Sequence, residues 1–116
     1  MAGDYKVDNP SAVIASDVPR MVGDSELDLI KQVCQQLPPN ARIIEFGPWL
    51  GGVTQVLAAY GELHVVDRFL WSELNAQTYP DILSVGDSFY NLFERSMAAQ
   101  GISPIIHKTE FRDFNW

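Results

Sequence analysis

Apolar positions along the chain follow two periods. In "DSELDLIKQVCQQLPP", Leu27, Ile30, Cys34 and Leu37 recur at helical spacing, which predicts a helix with one apolar stripe. Asp24 or Ser25 is expected to cap it, Glu26 and Asp28 suit the positive end of its dipole, and Pro38-Pro39 ends it. The apolar run "ARIIEFG" then reads as a strand. "GGVTQVLAAYG" returns to helical spacing at Val53, Val56, Leu57 and Tyr60, with Gly61 as its stop. "ELHVVD" is a second strand, and "SPIIHK" a third. Between them "GDSFYNLFERSMAAQG" predicts a helix capped by Asp87 or Ser88, with Phe89, Leu92, Phe93 and Met97 inward and Gly101 at its end. Residues 68–86 are less regular, with "WSELNAQ" helical before Pro80. Residues 1–23, punctuated by Pro10, Pro19 and Gly23, form an irregular N-terminal segment in which "SAVIASDV" suits a turn or a strand.

Strands that alternate with helices pair in parallel through crossovers, so residues 24–116 are expected to form one α/β domain. Strands apolar throughout fit a sheet covered on both faces. The 116 residues leave room for a single domain, and 47% hydrophobic with 20% charged residues is the balance of a globular chain.

Charge and cysteine usage narrow the function. A net charge of −7 with scattered basic residues argues against non-specific nucleic-acid binding. No apolar run reaches bilayer length and the first residues lack a secretory pattern, which leads to the expectation of a cytoplasmic protein without membrane contact. Cys34 stands alone, so neither an internal disulfide nor a cysteine metal site is expected, and it reads as a buried thiol. His64 and His107 fall in strands and read as structural.

The chemistry concentrates in "IIEFGPWLGG", residues 43–52. A turn after the first strand of a parallel unit faces the carboxyl edge of the sheet, where ligands bind. Asp67 ends the second strand 20 residues after Gly47, at the spacing of an acid that holds a ribose. The spacing G-x-x-x-G-G, with Trp49 in the second glycine slot, suits a pyrophosphate poorly, and Glu45 would repel one while favouring a cationic ligand.

"IIEFGPWLGGVTQVLAAYGELHVVD" resembles the first two motifs of the S-adenosylmethionine-dependent methyltransferases with a Rossmann-like fold. Glu45, Gly47, Trp49, Gly51, Gly52, Thr54 and Asp67 are the counterparts, and the likeness extends over about residues 25–114. It implies a three-layer Rossmann-like fold with strand order 3-2-1. It further implies S-adenosylmethionine as cofactor, with Gly47, Pro48 and Trp49 around its methionine end, Gly51 among the cofactor-binding residues and Glu45 ordering that loop. Asp67 would hold the ribose, Arg68 and Phe69 would lie beside the adenine, Glu110 would meet the adenine amino group, and Phe111 would stack on the ring. For Trp49 a core aromatic, and for Glu110 a solvated loop acid, are the competing assignments.

Relative to that family the sequence corresponds to the cofactor half, an incomplete methyltransferase fold lacking the strands that usually supply substrate contacts. No catalytic residue is assigned. The first strand is then expected at an exposed sheet edge, which favours a homodimer or swapped assembly through that edge. Two functions follow: a methyltransferase-like protein that binds the cofactor, or a non-catalytic structural or interaction dimer derived from one.

Overall fold

The computed structural model describes Val18 and residues 20–115, so most of the N-terminal segment, including most of "SAVIASDV", lies outside the described residues. The elements are α1 (Asp24–Cys34), β1 (Arg42–Phe46), α2 (Thr54–Leu57), β2 (Glu62–Asp67), α3 (Glu73–Thr78), α4 (Tyr90–Ala99) and β3 (Ile105–Lys108). A 3-10 turn, Phe111–Asp113, follows β3. The three strands form one parallel sheet in the order β1-β2-β3, so among the described residues β2 is central and β1 is an edge. The chain is a small α/β fold. No helix among the described residues is long and apolar enough to cross a membrane.

Each strand forms where its apolar run lies, and the helices are shorter than their apolar stripes. α1 stops at Cys34 and continues as single turns through Leu37, which is partly exposed, while Cys34 itself is buried. Its N-cap is Gly23 rather than Asp24 or Ser25, and the Asp24 carboxylate pairs with Arg20 instead. α2 keeps one turn and then loosens over Ala58–Tyr60. Gly61 acts by close approach: a Cβ there would stand 2.4 Å from the Ala41 carbonyl oxygen, which also accepts the Glu62 N–H at 2.8 Å. α4 is preceded by Ser88, whose hydroxyl accepts the Tyr90 N–H at 3.2 Å, while the Asp87 carboxylate turns back to the Ser84 N–H.

The irregular stretch after β2 closes on itself. Phe69 accepts the Phe89 N–H, Trp71 donates to Asp87 and accepts from Gly86, and Leu70 and Ser88 form an isolated bridge. These bonds satisfy backbone groups that would otherwise be buried unpaired, and they deliver Phe69 and Trp71 into the core.

Register and alternation place Ile43, Glu45, Leu63, Val65 and Ile106 on one face of the sheet. Leu63 and Val65 join Trp49, Leu50, Phe69, Trp71, Phe89, Phe93 and Met97 in the main cluster, against which Ile43, Ile106, Leu57 and Ala76 pack. Ile44, Phe46, His64, Val66 and His107 take the opposite face and stay outside that cluster. There the rings of Phe111 and Phe114 lie on Phe46, and Phe114 lies on His107. The main cluster therefore occupies one side of the sheet, while on the other side Val66 and His64 are buried outside that cluster. His64 on β2 and His107 on β3 both fall on this second face.

Candidate functional site

The carboxyl ends of the three strands meet through backbone bonds. Gly47 donates to the Val66 carbonyl, and Thr109 donates to the Asp67 carbonyl, both at 3.0 Å. Asp67, Arg68, Glu110, Phe111 and Arg112 thereby line one pocket of about 480 Å³. Glu45, Gly47, Pro48 and Trp49 line a second, of about 240 Å³, whose far side is Arg20, Met21, Val22 and Val53. Phe111 separates the two, since a Cβ on Gly47 would lie 3.5 Å from its ring and its centroid is 5.4 Å from that of Phe46.

In the first pocket, Asp67 is half-buried and its Oδ1 accepts the Phe69 N–H at 3.0 Å, which anchors the carboxylate at the pocket wall. Glu110 is engaged at both oxygens, by Arg68 at 3.1 Å and Arg112 at 3.3 Å. Exposed pairs of this kind contribute at most about 1 kcal/mol, so a ligand group can replace either arginine. The lining balances two acids with two arginines and carries one exposed aromatic ring.

The second pocket is shaped by the glycine loop. Thr54 Oγ1 donates to Glu45 Oε1 at 2.6 Å, tying the start of α2 to β1. Burial holds the Glu45 carboxyl well above the usual carboxylate range, at about 7; the threonine hydrogen bond opposes the rise and the nearby Asp67 charge adds to it. Trp49 is buried, takes φ of 51°, and sits 6.4 Å from the Tyr79 ring. Its Nε1 is buried without a hydrogen-bond partner among the described residues.

The expected residues thus divide. Glu45, Gly47, Pro48 and Trp49 come together, as do Asp67, Arg68 and Glu110. Gly51 lines neither pocket: with φ of 97°, its absent Cβ would fall 2.3 Å from Met97 Cε, so this glycine lets the loop close on α4. Phe69 is fully buried against Phe89, Tyr90 and Phe93 and is no neighbour of a ligand. Arg112 and Phe46 were missed; an arginine two residues from a candidate acid in a turn was the available signal for the first, and nothing marked the second. Among the described residues no group of three or more histidines, cysteines and acids is arranged to hold a metal ion. Comparison with protein-family models, curated proteins and solved structures finds no match.

Proposed function

We propose that the chain binds an adenosine-type ligand at the carboxyl edge of its sheet, with S-adenosylmethionine as the candidate. Supporting this is the convergence of Asp67, Arg68, Glu110 and Phe111 on one pocket beside the Gly47 turn. A fixed carboxylate after β2 suits a ribose, and an exposed ring with flanking guanidiniums suits a base. The residues fit the adenosine portion better than the methionine portion. Trp49 is largely spent on the core, yet its buried, unpartnered indole N–H would be relieved by a ligand acceptor, and an unmade bond of this kind costs about 1–3 kcal/mol. Glu45 would serve the cationic end of the ligand by ionising beside it.

Calorimetric titration with S-adenosylmethionine and its demethylated product tests the proposal. Both ligands are expected to bind, and Asp67→Ala to weaken binding about tenfold or more through loss of the ribose hydrogen bonds. Absence of heat with either ligand overturns it.

A second reading, a non-catalytic dimer on the same scaffold, draws on Gly51 and Trp49 serving packing and on β1 standing at the sheet edge with Phe46 half-exposed. Pairing of that edge with a second copy would give a dimer by light scattering after size exclusion at micromolar protein, and a monomer there sinks it.

A further inference from the structure

A further cavity, of about 360 Å³, shares no lining residue with the two at the strand ends. Asp81, Ile82 and Leu83 form one wall, and Asn91, Leu92 and Arg95 of α4 form the other; Ser88 also borders it. The loop wall is held by its own bonds. Ile82 donates to the Tyr79 carbonyl at 3.2 Å, the Ser84 N–H meets the Asp87 carboxylate at 2.9 Å, and the Asp87 N–H returns to the Ser84 carbonyl at 3.0 Å. Trp71 ties the end of the loop to the core, accepting from Gly86 at 2.9 Å and donating to Asp87 at 2.7 Å. The helix wall is anchored by Phe93, which is wholly buried. Both walls are thus preformed.

The lining has three parts. Ile82, Leu83 and Leu92 are partly buried and pack on the main cluster, which makes an aliphatic floor. No aromatic ring lines the cavity among the described residues. Asp81 and Arg95 are exposed and carry opposite charges on opposite walls. Among the described residues neither enters an ion pair or a side-chain hydrogen bond, with the other or elsewhere, whereas both oxygens of Glu110 are taken by arginines. The Asn91 amide adds donors and an acceptor.

These features select a ligand by elimination. A simple anion would meet Asp81, and a simple cation would meet Arg95. A wholly apolar molecule would displace water from both charges and return no bond to either. A small zwitterion with an aliphatic group suits all three parts: its ammonium on Asp81, its carboxylate on Arg95, and its alkyl chain on Ile82, Leu83 and Leu92. The volume lies near the small end of the range for ligand pockets, roughly 300–1,000 Å³, which keeps the ligand short. We infer that the cavity between the 81–83 segment and α4 is a binding site for an aliphatic α-amino acid of about the size of leucine. It is independent of the adenosine-type ligand at the strand ends.

Titration of the full chain with L-leucine tests it, followed by NMR through the Asn91 side-chain amide and the Leu83 and Leu92 methyl groups. These signals are expected to shift and saturate, with half-saturation at about 1 mM, while the Gly47 and Thr109 amides at the strand ends hold. N-acetyl-leucine lacks the ammonium and leucinamide lacks the carboxylate. Each should bind about fivefold more weakly, the modest effect of an exposed charge pair. Asp81→Asn should abolish the preference for leucine over N-acetyl-leucine and keep that over leucinamide; Arg95→Gln should do the reverse. Both substitutions alter exposed side chains, and unchanged Gly47 and Glu62 amide protection checks that the variants fold. Absence of saturable shifts up to about 10 mM leucine, ten times the expected midpoint, overturns the inference. So does equal binding of the three compounds, as a purely apolar cavity would show, or preferences that persist in both variants. Tighter binding of leucylglycine than of leucine also overturns it, by assigning the cavity to a peptide N-terminus.

Discussion

Two glutamates on adjacent strands show how differently the two faces of this sheet treat the same side chain. Glu45, on β1, points to the face that carries the main cluster and is held near 7 by burial, despite a threonine donor at 2.6 Å. Glu62, on β2, points to the opposite face, is solvent-exposed, and is held below its ordinary range, chiefly by its hydrogen bond with His64 and secondarily by the His64 and Arg42 charges. Hydrogen bonding to the ionised form wins only where water still reaches the carboxylate. One face thus carries the main apolar cluster, and the other combines buried Val66 with paired polar groups beside partly exposed aromatic rings.

The difference is tested most severely by truncating one ring on each face. Phe93→Ala empties a fully buried position and should cost about 3–5 kcal/mol in denaturant unfolding, enough to threaten folding of so small a domain. Phe46→Ala removes a ring that is half-exposed and should cost about 1 kcal/mol. Equal losses would break the assignment of the core to one face.

A smaller and pH-dependent effect separates the glutamates. Because folding raises the Glu45 value from 4.5 to about 7, the folded chain binds the extra proton over that interval. The stability this carries is complete below about pH 4.5 and is lost as pH rises through about 7. Glu45→Gln keeps an acceptor for Thr54 and cannot ionise, so it should flatten that decline and stabilise the chain at pH 8 by about 3 kcal/mol. Glu62 works in the other sense: its lowered value gives stability that is present above the ordinary glutamate range and disappears as pH falls through the folded value. Glu62→Gln should therefore differ from the parent least in acid, by an amount smaller than for Glu45. Identical pH profiles for the two variants would remove the contrast.

How much of this was legible in the sequence depended on whether a residue's role is local. The three strands lie where "RIIEF", "ELHVVD" and "IIHK" place them, since an apolar run bounded by glycine or proline needs no partner to be recognised. The inward residues of α4, Phe93 and Met97, were equally plain from their spacing. Asp67 was legible from its spacing to Gly47, whereas Arg68 and Glu110 were named only through the family resemblance; the three line one pocket. Roles that depend on a distant neighbour were not. Gly51 resembled a ligand-binding glycine, and only the approach of Met97, 46 positions later, shows why a side chain is excluded. Phe69 seemed available to a base until the bonds from Trp71 to Asp87 and Gly86, and from Phe89 back to it, turned its ring inward. His64 and His107 lie in strands as expected, but their mutual bond needs the β2–β3 register, which no local pattern carries.

Gly61 has a wider consequence than the end of a helix. Its hydrogen rests against the Ala41 carbonyl at the mouth of the β1–β2 pair, where any side chain would strike backbone that cannot yield. That single missing carbon acts as the zero mark of the sheet's ruler. Were the two strands to slip by one residue, every alternate side chain would change sides. Glu45 would be turned out to water and Phe46 driven toward α4, so the acid and the aromatic wall would exchange surroundings. The smallest residue in the chain thus decides which face of the protein is which.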